Sequence, residues 1–148
     1  MAKRPPKLVA LDHDDYAARY VGRTADGRQF FLTNPFVPAL DGTGQEFLAL
    51  YLFDNAGRLL EAVIEDQGAR AGLDGGRAEA RRDELLSSLG AVEFRRIKVA
   101  PFRVKRFGVT FGFLARPPEG PGEDWSVTVE PGDYMCFWPP WTSGEYDT

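Results

Sequence analysis

The chain has 148 residues, a formal net charge of −4 and 43% hydrophobic residues. This length suits one domain, which buries roughly 70% of the surface that its unfolded chain exposes. The single cysteine, Cys136, excludes an intramolecular disulfide and any zinc site that needs two thiolates. Because no apolar run approaches the roughly 20 residues of a membrane-spanning helix, we expect a cytoplasmic protein without membrane contact.

Residues 1–15 are predicted to form an irregular N-terminal leader, and residues 16–148 a single α+β domain. The leader contains Pro5-Pro6, which disfavours regular structure, and it ends in a run of polar residues.

Two β-hairpins are predicted to follow the leader. The first joins 16–24 to 28–33 through Asp26-Gly27, a pair typical of tight hairpin turns. The second joins 46–53 to 58–65 through a four-residue turn. Because 46–53 is almost continuously apolar, we expect a strand covered on both faces, and we place both strands of this hairpin at the centre of the sheet.

A single amphipathic helix is predicted over about 77–89. Its residues are good helix formers, and Leu85, Leu86 and Leu89 recur at helical spacing. Asp74 precedes the helix as a candidate N-cap, and Gly90 follows it where a C-terminal glycine belongs. The glycine-rich stretch 68–76 has neither phosphate-loop spacing nor a terminal Gly-Lys-Ser/Thr, so we interpret it as a connection.

The C-terminal half is predicted to return to strands. These are 92–99, 102–115, 125–129 and 134–138, with Ala100-Pro101 separating the first two. The fold class predicted for the whole chain is α+β, a mainly antiparallel sheet of seven or eight strands with the helix packed on it.

A weak candidate metal site lies at Asp12, His13 and Asp14, where carboxylates flank an imidazole. His13 is the single histidine of the chain, which excludes sites with several histidines. Neighbouring residues of an extended segment also point in opposite directions. We therefore favour a solvated segment over a metal site, and we assign neither a cofactor nor catalytic residues.

Charge is distributed unevenly along the chain. No lysine or arginine follows Arg116, while seven acidic residues do. In contrast, 93–107 is basic and includes Arg103 and Lys105. Nucleic-acid binding is disfavoured, since the chain is acidic overall and carries no recognised nucleic-acid-binding motif.

The C-terminal segment is the most distinctive candidate binding region. Trp138-Pro-Pro-Trp141 would place two indoles on one face if it formed polyproline II, and Tyr146 follows them. The two indoles and Tyr146 could form a recognition surface. The favoured alternative is that both tryptophans fold back and close the core.

Glycines within a bulky strand suggest a second candidate binding surface. Gly108 and Gly112 alternate with aromatic residues, and the missing side chains leave room for a ligand or for another backbone. Cys136, in contrast, lies in an apolar run that favours an inert thiol.

These features favour a non-catalytic binding or interaction protein. Size and acidity would suit an immunity-like protein that neutralises a basic partner, and a homodimer is also plausible. Fourteen arginines against four lysines fit a bacterial origin. The alternatives are a carboxylate- or metal-dependent enzyme and a small-molecule-binding domain.

Overall fold

The computed structural model describes residues 4–38 and 44–148, which form mostly antiparallel β-sheet with one α-helix. The helical elements are α1, Gly75–Ser88, and a single 3₁₀ turn, Arg70–Gly72. Across these two stretches, no helix has the length and apolar character that crossing a membrane requires. The strands of the described residues are β1 Val9–Leu11, β2 Tyr20–Thr24, β3 Gln29–Thr33, β4 Phe36–Val37, β5 Gln45–Phe53, β6 Leu59–Ala69, β7 Val92–Phe94, β8 Ile97–Val99, β9 Phe102–Arg106, β10 Val109–Arg116, β11 Ser126–Glu130 and β12 Met135–Phe137.

A six-stranded antiparallel sheet is organised around β5. β6 pairs along one edge of β5, while β3 and β4 pair with the other. β2 then pairs with β3, and β7 with β2. The predicted central position is confirmed for β5 but wrong for β6, which pairs with β5 alone among the described strands and so forms an edge.

Both faces of β5 are buried, as its apolar run predicts. Phe47, Ala49, Tyr51 and Phe53 face one core, and the alternate residues Leu48, Leu50 and Leu52 face another. Alternation along the strand therefore divides the protein into three layers: the helix, the six-stranded sheet and a second sheet.

The helix covers one face of the six-stranded sheet through the predicted leucine stripe. Leu85, Leu86 and Leu89 pack in the second core beside Phe30 and Leu32 of β3. The N-terminal cap is as predicted, since Asp74 Oδ1 accepts a hydrogen bond from the Arg77 N–H at 3.1 Å. The helix begins two residues earlier than predicted, because this cap allows Gly75 and Gly76 to enter the first turn.

The second sheet covers the opposite face of the six-stranded sheet. Its order is β12-β11-β10-β9, all antiparallel. The inner residues are aromatic and aliphatic: Phe111, Phe113, Val127, Val129, Met135 and Phe137. The predicted class, mainly antiparallel sheet with one helix packed on it, is therefore confirmed.

A two-stranded ribbon adds to the core between the two sheets. β1 pairs with β8, and Val9, Leu11, Ile97 and Val99 are fully buried. β1 lies inside the segment that the sequence predicts to be an irregular leader. That prediction is wrong for 9–11, because Val9 and Leu11 belong to the shared core, which the short apolar run did not reveal.

The predicted count of seven or eight strands is wrong, since the described residues form twelve. The predicted strand 92–99 divides at Arg95-Arg96 into β7 and β8, which belong to different sheets. The predicted strand 102–115 is a hairpin, because Phe107 and Gly108 take φ values of 54° and 72° and reverse the chain between β9 and β10.

Tyr51→Phe is expected to stabilise the protein by about 1 kcal/mol. The Tyr51 side chain is fully buried, and its hydroxyl has no hydrogen-bond partner among the described residues. Removing an unsatisfied buried hydroxyl removes its desolvation cost while the ring keeps its packing. Urea denaturation measures the change in the free energy of unfolding.

Tyr134→Phe is the matched control, because the Tyr134 hydroxyl lies 3.0 Å from Thr33 Oγ1 in a hydrogen bond. This variant should lose stability. A Tyr51→Phe protein that is no more stable than the parent would contradict the assignment of an unsatisfied hydroxyl.

Candidate functional site

The tryptophans of the C-terminal segment occupy different environments. Trp138 is 47% exposed, whereas Trp141 packs against the core between the sheets, as does Tyr146. The peptide bond between Pro139 and Pro140 is cis. The expectation that both tryptophans fold back therefore describes Trp141 and fails for Trp138.

The last residues of the chain form a clasp around the N-terminal segment. The N–H groups of Ala10 and Asp12 donate to the carbonyls of Trp141 and Gly144 at 2.9 and 3.0 Å. Arg96 reaches the same place, where its guanidinium donates to Asp12 and to the carbonyls of Thr142 and Ser143. Residues 141–144 are thereby fixed against Ala10 and Asp12, while Asp147 pairs with Cys136 of β12. This clasp (141–147 with Asp12, Asp14 and Arg96) has a structural role.

Asp14 is held within this clasp by three hydrogen bonds. Its Oδ1 accepts from the N–H groups of Tyr16 and Ala18 at 2.8 and 3.0 Å, and its Oδ2 accepts from the Tyr146 hydroxyl at 2.5 Å. Burial raises the pKa of Asp14, but these hydrogen bonds outweigh burial and leave the pKa below its ordinary value.

The three weak metal candidates do not converge. Asp12 forms an ion pair with Arg96, Asp14 accepts the bonds just described, and the His13 ring stacks on Phe94 at a centroid distance of 5.3 Å. Within 4–38 and 44–148, no group of three or more His, Cys, Asp or Glu side chains is arranged to hold a metal ion.

The strand glycines have backbone functions. Gly108 belongs to the β9–β10 turn, and a Cβ on Gly112 would overlap the carbonyl of Phe102 on the neighbouring strand. These requirements account for both glycines without a ligand. Arg103 and Lys105 lie opposite Gly112 and Thr110 across the β9–β10 pair and are exposed.

An acidic groove lies on the opposite side of the second sheet from the core. Its floor comes from β10 and β11, its wall from the loop 117–125, and Trp138 lines it after β12. The groove has a volume of about 830 Å³. Its charged lining residues are Glu119, Glu123, Asp124, Glu130 and Asp133, with Arg116.

Carboxylates outnumber cations among the described residues that line the acidic groove. Arg116, the one cation among those residues, lies 3.4 Å from Glu130 and donates to Thr128 at 3.2 Å. Burial and the nearby charge of Glu130 raise the pKa of Asp133, and Arg116 offsets this in part. A cation bound in the groove would relieve this carboxylate repulsion.

Cys136 lies beside the acidic groove rather than in the core. It is half-buried on β12, opposite Thr128. Burial raises the pKa of its thiol, as do the charges of Asp133 and Asp147. The thiol is therefore protonated at neutral pH, as expected of an inert cysteine.

Sequence reasoning selected Trp138 but missed the carboxylates of the acidic groove. Glu119 and Glu123 come from the loop, while Glu130 and Asp133 come from β11 and the turn after it. The signal that could have found them is the absence of lysine and arginine after Arg116, which leaves an acidic C-terminal region. Only the pairing of β10, β11 and β12 shows which of these acids share a surface.

Comparison of the chain with protein-family models, with curated proteins and with solved structures finds no match.

Asp14→Asn is expected to lower the free energy of unfolding at pH 7 by about 1 kcal/mol, a value reduced by solvent screening. The folded-state pKa of Asp14 is depressed, so its ionised form stabilises the protein above the unfolded-state pKa. This contribution is lost as the pH falls through the folded-state pKa. Denaturation at pH 7 and pH 3 should therefore show a difference that shrinks in acid, and a constant difference would contradict the role of the charge.

Asp133→Asn should act in the opposite direction and stabilise the protein at pH 7 by at most about 0.5 kcal/mol, since the groove is open to water. The folded-state pKa of Asp133 is raised, so ionisation costs stability as the pH rises through that value. Asparagine also tolerates the φ of 47° at this position. The gain in the free energy of unfolding should vanish below the unfolded-state pKa. A gain that persists at that pH would show that it does not come from the charge of Asp133.

Proposed function

We propose that this protein is a non-catalytic binding protein that uses the acidic groove to bind a basic partner protein. The observation that carries the proposal is the groove itself, whose described lining residues include five carboxylates, one guanidinium and an exposed indole. Its role would be immunity-like, in that it covers and neutralises a basic surface. We further propose a single-domain cytoplasmic protein of bacterial origin.

The arrangement of carboxylates favours an extended cationic ligand over a metal ion. A metal ion requires several oxygens at one point, and the described carboxylates form no such cluster. Glu119 and Glu123 lie on the loop wall, whereas Glu130 lies at the end of β11. Several lysine or arginine side chains of one partner could each meet a different carboxylate.

Trp138 supplies the apolar contact that such an interface needs. Its indole remains 47% exposed, although burial of a large aromatic surface is favourable. Tryptophan is the aromatic residue that attracts a guanidinium or ammonium most strongly over its ring face. It is also among the residues that most often dominate the binding energy of an interface.

The charge on β9, the edge strand of the second sheet, would orient the partner. Arg103 lies opposite Gly112, and Gly112 lies opposite Glu130, so a positive and a negative residue occupy the same row on β9 and β11. A basic partner is attracted to the groove and repelled from β9, which favours one docking direction.

Octaarginine is expected to bind the protein in 50 mM NaCl and to change tryptophan fluorescence. The Glu130→Gln/Asp133→Asn double variant should weaken binding at least tenfold, because it removes two carboxylates and leaves Arg116 without its ion-pair partner. Trp138→Phe should abolish most of the fluorescence change. Calorimetry gives the dissociation constants, and octaglutamate is the negative ligand.

The matched control is Glu61→Gln/Glu79→Gln, which removes the same charge from exposed positions on β6 and α1. It should change the dissociation constant less than twofold. Equal weakening by both double variants would show that net charge, not the groove, binds the peptide. The competing occupant of the groove is a second copy of the protein, docked through its basic β9 strand. Sedimentation of the free protein tests for such a dimer.

A further inference from the structure

A second pocket of opposite charge lies on the other side of the turn that follows β11. It is formed by residues 16–20, the end of β3, α1 and Tyr134, and its volume is about 290 Å³. Among the described residues that line it, the charged groups are the guanidiniums of Arg19 and Arg82, and none is a carboxylate. Because Tyr134 follows Asp133 directly, this cationic pocket and the acidic groove share one turn.

Both guanidiniums of the cationic pocket lie near the same aromatic ring, that of Tyr20. The Cζ atoms of Arg19 and Arg82 lie 5.6 and 5.2 Å from the Tyr20 ring centre. The Arg82 side chain is only 23% exposed, and it forms an ion pair with the neighbouring Asp83, whose side chain is 65% exposed. Both arginines line the pocket, so an oxyanion bound there could accept hydrogen bonds from each guanidinium.

The lining of the pocket also offers a neutral donor. Tyr134 and Thr33 both line it, and their hydroxyl oxygens lie 3.0 Å apart. Burial raises the pKa of Tyr134 well above its ordinary value, so the phenol is protonated at neutral pH. One of the two hydroxyl protons serves the mutual hydrogen bond, and the other is free to be donated to a ligand oxygen.

Aromatic side chains supply the apolar part of the pocket. Tyr16 and Tyr20 both line it together with Leu32. A planar ligand could therefore contact these rings while its charged group meets the arginines, since arginine forms bidentate hydrogen bonds with carboxylate and phosphate. A volume near 300 Å³ is at the lower limit of ligand pockets, which suits a ligand with one ring.

We propose that this cationic pocket binds a small organic oxyanion, a carboxylate or phosphate monoester on a planar apolar body, through Arg19, Arg82 and the Tyr134–Thr33 hydroxyl pair. The proposal rests on different residues from those of the acidic groove and does not depend on the proposed protein partner. It gives the protein a small-molecule ligand as well as a macromolecular one.

Calorimetry with phenyl phosphate and benzoate tests the proposal and separates the two head groups. At least one of the two anions is expected to bind with a dissociation constant of 1 mM or below, while benzyl alcohol binds at least tenfold more weakly. Arg82→Gln should weaken anion binding at least tenfold. Arg77→Gln, an exposed arginine on the same helix, is the matched control and should change it less than twofold.

Three results would overturn the proposal: no binding of either anion at millimolar concentration, equal binding of benzyl alcohol, or equal weakening by Arg77→Gln and Arg82→Gln. Arg19→Gln, an exposed position, repeats the test should Arg82→Gln fail to fold. The Glu130→Gln/Asp133→Asn variant should not weaken anion binding. It therefore separates failure of this pocket from failure of the acidic groove.

Discussion

The structure depends on one strand, β5, that is buried on both faces. Phe47, Tyr51 and Phe53 pack toward the second sheet, while Leu48, Leu50 and Leu52 pack toward the helix. A shift of one residue in its register would exchange the two sets and destroy both cores. Five further strands of the six-stranded sheet take their positions from β5 directly or through β3 and β2.

This layering determines where polar function can lie. The helix covers one face of the six-stranded sheet and the second sheet covers the other, so β5 at its centre has no face for a ligand. The second sheet keeps an outer face, on which Arg103 and Glu130 lie in one row and the loop 117–125 builds a wall. The acidic groove therefore lies on the outer face of the second sheet, which no further helix or sheet covers among the described residues.

Features marked by typical local signals were predictable, whereas an atypical turn and the contacts between distant residues were not. The helix could be predicted because Asp74, the leucine stripe and Gly90 all lie within one segment. The β9–β10 turn was missed because Phe107, not a typical turn residue, takes a positive φ there. The role of Asp14 was inaccessible, since its partner Tyr146 lies 132 residues away. Likewise, the acidic groove joins residues from a loop, two strands and a turn.

The acidic groove and the cationic pocket meet at the turn after β11, where two consecutive residues line pockets of opposite charge. Asp133 lines the acidic groove with a raised pKa, and Tyr134 lines the cationic pocket with its phenol protonated. The charge of Glu130 acts on both residues and raises both pKa values. A cation in the groove would offset that charge, and an anion in the pocket would add to it. If the groove binds a basic partner and the pocket binds an anion, as proposed, their coupling is reciprocal: the partner changes the affinity of the pocket for the anion by the same factor as the anion changes the affinity of the groove for the partner.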